Sequence, residues 1–171
     1  VTITARPLKD RTYTANWKEN SYTIVFNVEG EVTRGEMKNI PLRYTQETTI
    51  PKNGYVCGGY KFVGWRTGGK KSEQKVYQPG DKVSRLCATN NGTVNLYPIW
   101  EPCEYTITFD YQTGNKREKV TCKYKETYTF PTVNRLGWTF EGWSRSAGST
   151  NVISYAPNVK TAVFEDEKDI T

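Results

Sequence analysis

Histidine is absent from this chain of 171 residues. Its absence removes the usual general base near neutral pH, the usual triad member and the commonest zinc ligand. Helix-forming side chains are nearly as scarce, with five Leu, six Ala and one Met. A mainly helical architecture is thereby excluded. Apolar runs are short, and Ile24-Val25-Phe26 is typical of the longest. A membrane helix needs ~20 apolar residues in succession, so no membrane span is expected. Val1-Thr2-Ile3-Thr4 is not a signal peptide, so a secretion signal and any anchor are expected outside this stretch.

What is plentiful points to strands. Thr, Val, Ile, Tyr, Phe and Trp make up 68 residues. Such β-branched and aromatic side chains suit a pleated, half-buried surface. The expected fold class is mostly β, with an α+β arrangement left open. Val, Ile, Leu and Phe number 33, which sits at the ~20% line below which disorder is suspected. The 23 aromatic rings argue against disorder, since each can bury on the order of 150–250 Å². Four Cys in a Thr-, Tyr- and Asn-rich chain suit an oxidising, extracytoplasmic setting. The net charge of +6 permits acidic partners and names none.

The chain repeats itself. Tyr22-Thr23-Ile24-Val25-Phe26 returns as Tyr105-Thr106-Ile107-Thr108-Phe109, 83 residues on. Tyr44 and Pro51 return as Tyr124 and Pro131 at a shift of 80. Phe62-Val63-Gly64-Trp65 returns as Phe140-Glu141-Gly142-Trp143 at 78, as do Tyr77 and Pro79 in Tyr155 and Pro157. Thr12–Trp17 has the shape of Asn95–Trp100, again 83 apart. Residues 1–17 therefore read as the closing strand of an upstream repeat, 18–100 as one module and 101–171 as a second that stops before its closing strand. Strands are expected near 21–28, 104–111 and 120–124, over Gly59–Trp65 and Leu136–Trp143, and over Val94–Trp100. Any helix is expected near Thr48–Asn53 or between the third and last strands.

The order Tyr-Thr-Ile-x-Phe, a Tyr and a Pro, Gly59-Tyr60-Lys61-Phe62-Val63-Gly64-Trp65, then Leu96-Tyr97-Pro98-Ile99-Trp100 resembles the Listeria–Bacteroides repeat. That repeat, of the internalin B type, is found in large bacterial surface proteins. The resemblance covers nearly the whole chain. The second copy departs from it at Leu136-Gly137-Trp138, and the four cysteines are not part of the pattern. The resemblance implies tandem, small β-grasp-like (ubiquitin-like) modules on secreted or wall-attached proteins, with no catalytic residues to carry over.

Several side chains are candidates for chemistry. Phe62, Trp65, Phe140 and Trp143 recur in both copies, so they read as core aromatics rather than a sugar platform. Trp17 and Trp100 close a strand just before the next unit and are expected to wedge the joint. Cys57, Cys87, Cys103 and Cys122 permit three connectivities. Two bridges within units, Cys57–Cys87 and Cys103–Cys122, are expected, with free thiols as the alternative. Without His or a CxxC pair a metal site is not expected, and no cofactor is called for. Lys61, Arg66, Lys70, Lys71 and Lys75 crowd one hairpin and are candidate contacts for an acidic glycan or protein. No motif order suggests nucleic acid. The acidic run from Glu165 to Asp169 reads as solvated surface.

No nucleophile–base pair, metal cage or phosphate loop can be assembled from these residues. The expected function is a non-catalytic tandem repeat module of an extracellular bacterial cell-surface or secreted protein. It would serve as an adhesive stalk, spacer or protein-binding module, contacting a host or bacterial surface protein or glycan. The alternative is a carbohydrate-binding module using exposed Tyr and Trp. A further hypothesis is head-to-tail self-association, in which Thr12–Trp17 completes the second module of a neighbouring molecule; the alternative preferred to it is that residues 1–17 pack on the first module and the second tolerates its gap.

Overall fold

A computed structural model describes residues 12–114 and 116–144 in full, and the backbone of Lys160–Thr161. The strands run in the order β1 Ser21–Phe26, β2 Val32–Arg34, β3 Ile40–Arg43, β4 Thr48–Thr49, β5 Val56–Cys57, β6 Tyr60–Thr67, β7 Val76–Tyr77, β8 Lys82–Val83 and β9 Gly92–Pro102. They continue as β10 Glu104–Asp110, β11 Arg117–Lys123, β12 Tyr128–Thr129 and β13 Lys160–Thr161. The described chain is mostly β and contains no α-helix; a single 3-10 turn covers Lys71–Glu73. The expected helix near Thr48–Asn53 is replaced by β4, which pairs with β8. The 3-10 turn lies in the other place anticipated, between the third and last strands of the first repeat.

The first repeat folds around one five-stranded sheet of order β3-β1-β9-β6-β7. Strand β9 is central, parallel to β1 and antiparallel to β6. Alternation in β1 sends Tyr22, Ile24 and Phe26 inward, where they meet Leu42, Ile50, Tyr55, Trp65, Val83 and Leu96. Trp65 is completely buried, with its ring 4.8 Å from Phe26 and 5.1 Å from Phe62.

A bulge explains how Phe62 and Trp65 meet. Plain alternation would put residues three apart on opposite faces. Phe62 opposes Trp100 and Gly64 opposes Ile99, so β6 spends one extra residue there. The extra residue restores both rings to one side. Gly64 fits because a Cβ would lie 2.9 Å from Gln78 Nε2 and 3.3 Å from the Tyr77 carbonyl oxygen.

The second repeat rebuilds the start of the same plan. Tyr105, Ile107 and Phe109 in β10 point inward as Tyr22, Ile24 and Phe26 do. Buried Cys122 stands where Leu42 stands, and buried Phe130 where Ile50 does. The backbone turn repeats too: Gln46 Oε1 accepts from Arg43 N–H, and Glu126 Oε2 accepts from Lys123 N–H. Trp143 packs 4.7 Å from Phe109 and 5.4 Å from Phe140, which copies the Phe26–Trp65–Phe62 cluster. Phe62, Phe140 and Trp143 are half-buried and Trp65 is fully buried. The strand expected over Leu136–Trp143 is absent; Arg135 and Trp138 make an isolated bridge across a tight turn. Residues 155, 157 and the acidic run from 165 to 169 lie outside the described residues.

Candidate functional site

The two repeats meet without a linker. Only Cys103 separates β9 from β10, and its backbone serves both sheets. Its N–H donates to the Gly59 carbonyl of the first repeat at 2.8 Å, and its carbonyl accepts from Tyr124 N–H of the second at 2.8 Å. The Tyr124 ring lies against Gly59. A Cβ there would sit 2.5 Å from three ring carbons, and the backbone has φ +74. Both facts require glycine, since that contact distance and that angle each disfavour a side chain. Tyr60 meets the same ring edge-on at 5.2 Å between centroids.

Charge reinforces the contact. Lys125 Nζ reaches the Glu31 carboxylate across the joint and lies 5.6 Å from the Tyr124 ring centre. Its hydrogen bond to Glu31 raises the Lys125 pKa. Both side chains are largely exposed, so the pair orients the repeats more than it stabilises them.

The tryptophans expected to wedge the joint lie elsewhere. Trp100 donates its indole N–H to the Glu29 carbonyl at 3.1 Å and packs its ring 5.8 Å from Phe62, inside its own repeat. Trp17 is 93% exposed, and Thr12–Trp17 joins no sheet among the described residues. The sequence signal for the true joint was present in the recurrence of Gly59-Tyr60 as Gly137-Trp138 and of Tyr44 as Tyr124. Those positions mark contact surfaces as well as alignment landmarks.

The four cysteines are free, so the two expected bridges are not formed. Cys122 opposes Tyr105, whereas Cys103 opposes Tyr124. A stagger of two residues puts side chains ~7–8 Å apart, beyond the reach of a disulfide. Cys57 and Cys87 stand at opposite ends of β1. Cys57 pairs with Val32 beyond the Phe26 end, and Cys87 Sγ packs on Gly92 opposite Tyr22. Four residues of strand separate those ends by roughly 13 Å. Burial raises the Cys57 and Cys122 thiol pKa values, which keeps both protonated and unreactive at neutral pH.

The basic hairpin does not gather into one patch. Lys61 pairs with Glu101 at 3.3 Å, at the joint end of β6. Arg66 is bound by the Glu29 carboxylate and lies 5.2 Å from the Tyr97 ring. Lys70, Lys71 and Lys75 are exposed around the 3-10 turn at the far end. The seven residues from Lys61 to Thr67 alone extend ~20 Å. Among the described residues no group of His, Cys, Asp and Glu is arranged to hold a metal. No helix among them is long and apolar enough to cross a membrane.

Comparison with known proteins follows the repeat boundaries. The profile of the Listeria-Bacteroides repeat domain matches residues 22–97 and 105–165, once per repeat. These repeats occur in bacterial surface proteins and are generally non-catalytic. Two relatives come from Evansella cellulosilytica. One, carrying the name of a Gly-rich membrane protein, is 27% identical over 173 residues, covering 91% of this chain and 19% of its own length. The other, carrying the name of a membrane protein, is 25% identical over 157 residues, covering 91% of this chain and 20% of its own. The chain thus spans about a fifth of the length of these relatives. No solved structure matches.

Proposed function

Because the chain belongs to the Listeria-Bacteroides repeat domain family, we propose that it acts as a structural spacer segment of a bacterial surface protein. Its modules are joined end to end to form a stalk. The observation that carries this reading is the joint: one residue between strands, a glycine seated on a neighbouring ring and an ion pair across the seam. A flexible linker would let the modules tumble independently; this connection fixes them instead. We also read each module as β-grasp-like. The order β3-β1-β9-β6-β7 of the first repeat, with its central parallel pair, supports that reading, with the segment 44–55 in the place of a helix.

Solution scattering on the full chain tests the spacer reading. Gly59→Val should leave both modules folded by circular dichroism and broaden the distance distribution. An unchanged distribution would count against a fixed joint. The carbohydrate-binding reading asks for two exposed rings in one plane or groove. Exposed Trp138 has Arg135 over its ring at 4.5 Å, which occupies one of the faces a sugar would use. A glycan array is expected to show no binding. Binding that Trp138→Ala removes would replace the spacer reading with the carbohydrate one.

A further inference from the structure

The surfaces that meet at the internal joint have counterparts elsewhere on the molecule: an exposed turn in the second repeat and, in the first, a half-buried Tyr44 beside exposed Thr45 and Glu19. On the first repeat the turn-bearing surface is Gly58-Gly59-Tyr60. Its counterpart in the second is Leu136-Gly137-Trp138, 78 residues on. The geometry is retained: Gly137 has φ +79 against +74 for Gly59. Trp138 N–H closes the turn onto the Arg135 carbonyl at 3.0 Å. Leu136 is fully exposed and Trp138 is 68% exposed. Leu136 and Trp138 together form an exposed apolar patch on one turn, a feature that marks interaction sites.

The receiving surface recurs as well. Tyr124 and the Cys103 backbone correspond to Tyr44 and the Asn20 backbone. Tyr44 N–H donates to the Asn20 carbonyl at 2.9 Å, as Tyr124 N–H does to Cys103. Charges complement each other with reversed polarity. At the internal joint the turn-bearing repeat supplies Glu31 and the receiving repeat Lys125. On the counterpart surfaces the turn carries Arg135, in the place of Cys57. On the receiving side Thr45, in the place of Lys125, holds the Glu19 carboxylate through its N–H at 2.7 Å and its hydroxyl.

We infer that the Arg135–Trp138 turn is a docking element for the Tyr44 surface of a second copy of this chain. Gly137 seats on the Tyr44 ring, Leu136 and Trp138 cover it, and Arg135 faces Glu19. The contact is heterologous, so it propagates head to tail instead of closing a dimer. This inference rests on the spacer reading and adds its partner.

Covalent neighbours enjoy an effective concentration in the millimolar range, so the contact between separate molecules is weak by comparison. The test is an amide and indole NMR titration of the full chain from ~20 μM to ~1 mM. The Trp138 indole N–H and the Asn20, Tyr44 and Thr45 amides should shift together with concentration, and the shifts should shrink in high salt. Labelled L136S/W138A chain, altered only at exposed positions, should lose the turn shifts. It should keep the Tyr44-side shifts when unlabelled wild type is added. Shifts confined to other residues, or none up to the highest concentration, would overturn the inference. That failure would be distinct from failure of the internal joint, which Gly59→Val reads within one chain.

Discussion

The two repeats start alike and finish differently. In the first, β1 lies between β3 and β9, and Trp65 is sealed beneath β9 with Leu96. In the second, β10 pairs among the described residues with β11 alone, and Trp143 stays half-buried with its indole N–H on the Pro131 carbonyl at 2.8 Å. The aromatic cluster forms in both. A strand, its return strand and the Phe-x-Gly-Trp segment are the pieces common to both clusters. Full enclosure of the tryptophan goes with the long-range parallel strand.

The largest expected effect tests that division. Trp65→Ala should cost ~3–5 kcal/mol, the usual range for a buried aromatic. That is a large share of the ~5–15 kcal/mol a small domain holds. Trp143→Ala should cost visibly less. Chemical denaturation of both variants would check this, and equal losses would erase the distinction between the repeats.

Phe62 and Phe140 are a closer match, since both are half-buried against their tryptophans. Each substitution to Ala should cost about 1–3 kcal/mol, less than full burial would imply. Thermal melts should show similar shifts for the two. A much larger loss for Phe140 would mean that the second repeat depends on its aromatic cluster more than the first does.

Cys122 sharpens the comparison from the core side, because it does the packing that Leu42 does in the first repeat. Cys122→Ser places an unmatched hydroxyl there and should cost ~1–3 kcal/mol. Cys87→Ser, at a half-buried site beside Thr89, should stay within about 0.5 kcal/mol. Free-thiol labelling gives the kinetic counterpart: Cys87 and Cys103 should react first, with Cys57 and Cys122 following only on unfolding.

The smallest effect is with pH. Burial holds the folded Cys57 and Cys122 thiols above their ordinary value of 9.0. The folded state then binds more protons than the unfolded one. Their contribution is complete below pH ~9 and declines as pH rises through the raised folded values. Melting temperatures should be flat near neutrality and fall modestly in alkali. Cys122→Ala should reduce the part of that fall arising in the second repeat.

Much of this plan was legible in the sequence. Alternation in Tyr22–Phe26 and Tyr105–Phe109 located the first strand of each repeat, because one buried face writes a period of two. Recurrence revealed the two copies, and the family profile matches once in each. The bulge at Val63 was not legible, since alternation cannot show where a strand spends an extra residue. Trp100 and Cys122 were misread because position along the chain was taken for position in space. Trp100 folds back onto the Glu29 carbonyl, and Cys122 faces the core at a leucine's place instead of facing Cys103. The joint was missed because Gly59 and Tyr124, 65 positions apart, meet only once β9 has carried the chain across the first sheet.

On the spacer reading the two repeats form one fixed body through Gly59 and Tyr124. Residual dipolar couplings on the full wild-type chain test it most directly. A single alignment tensor should fit the amides of β1, β6 and β9 together with those of β10 and β11, and Gly59→Val should split it in two. Two different tensors in the wild-type chain would contradict the claim.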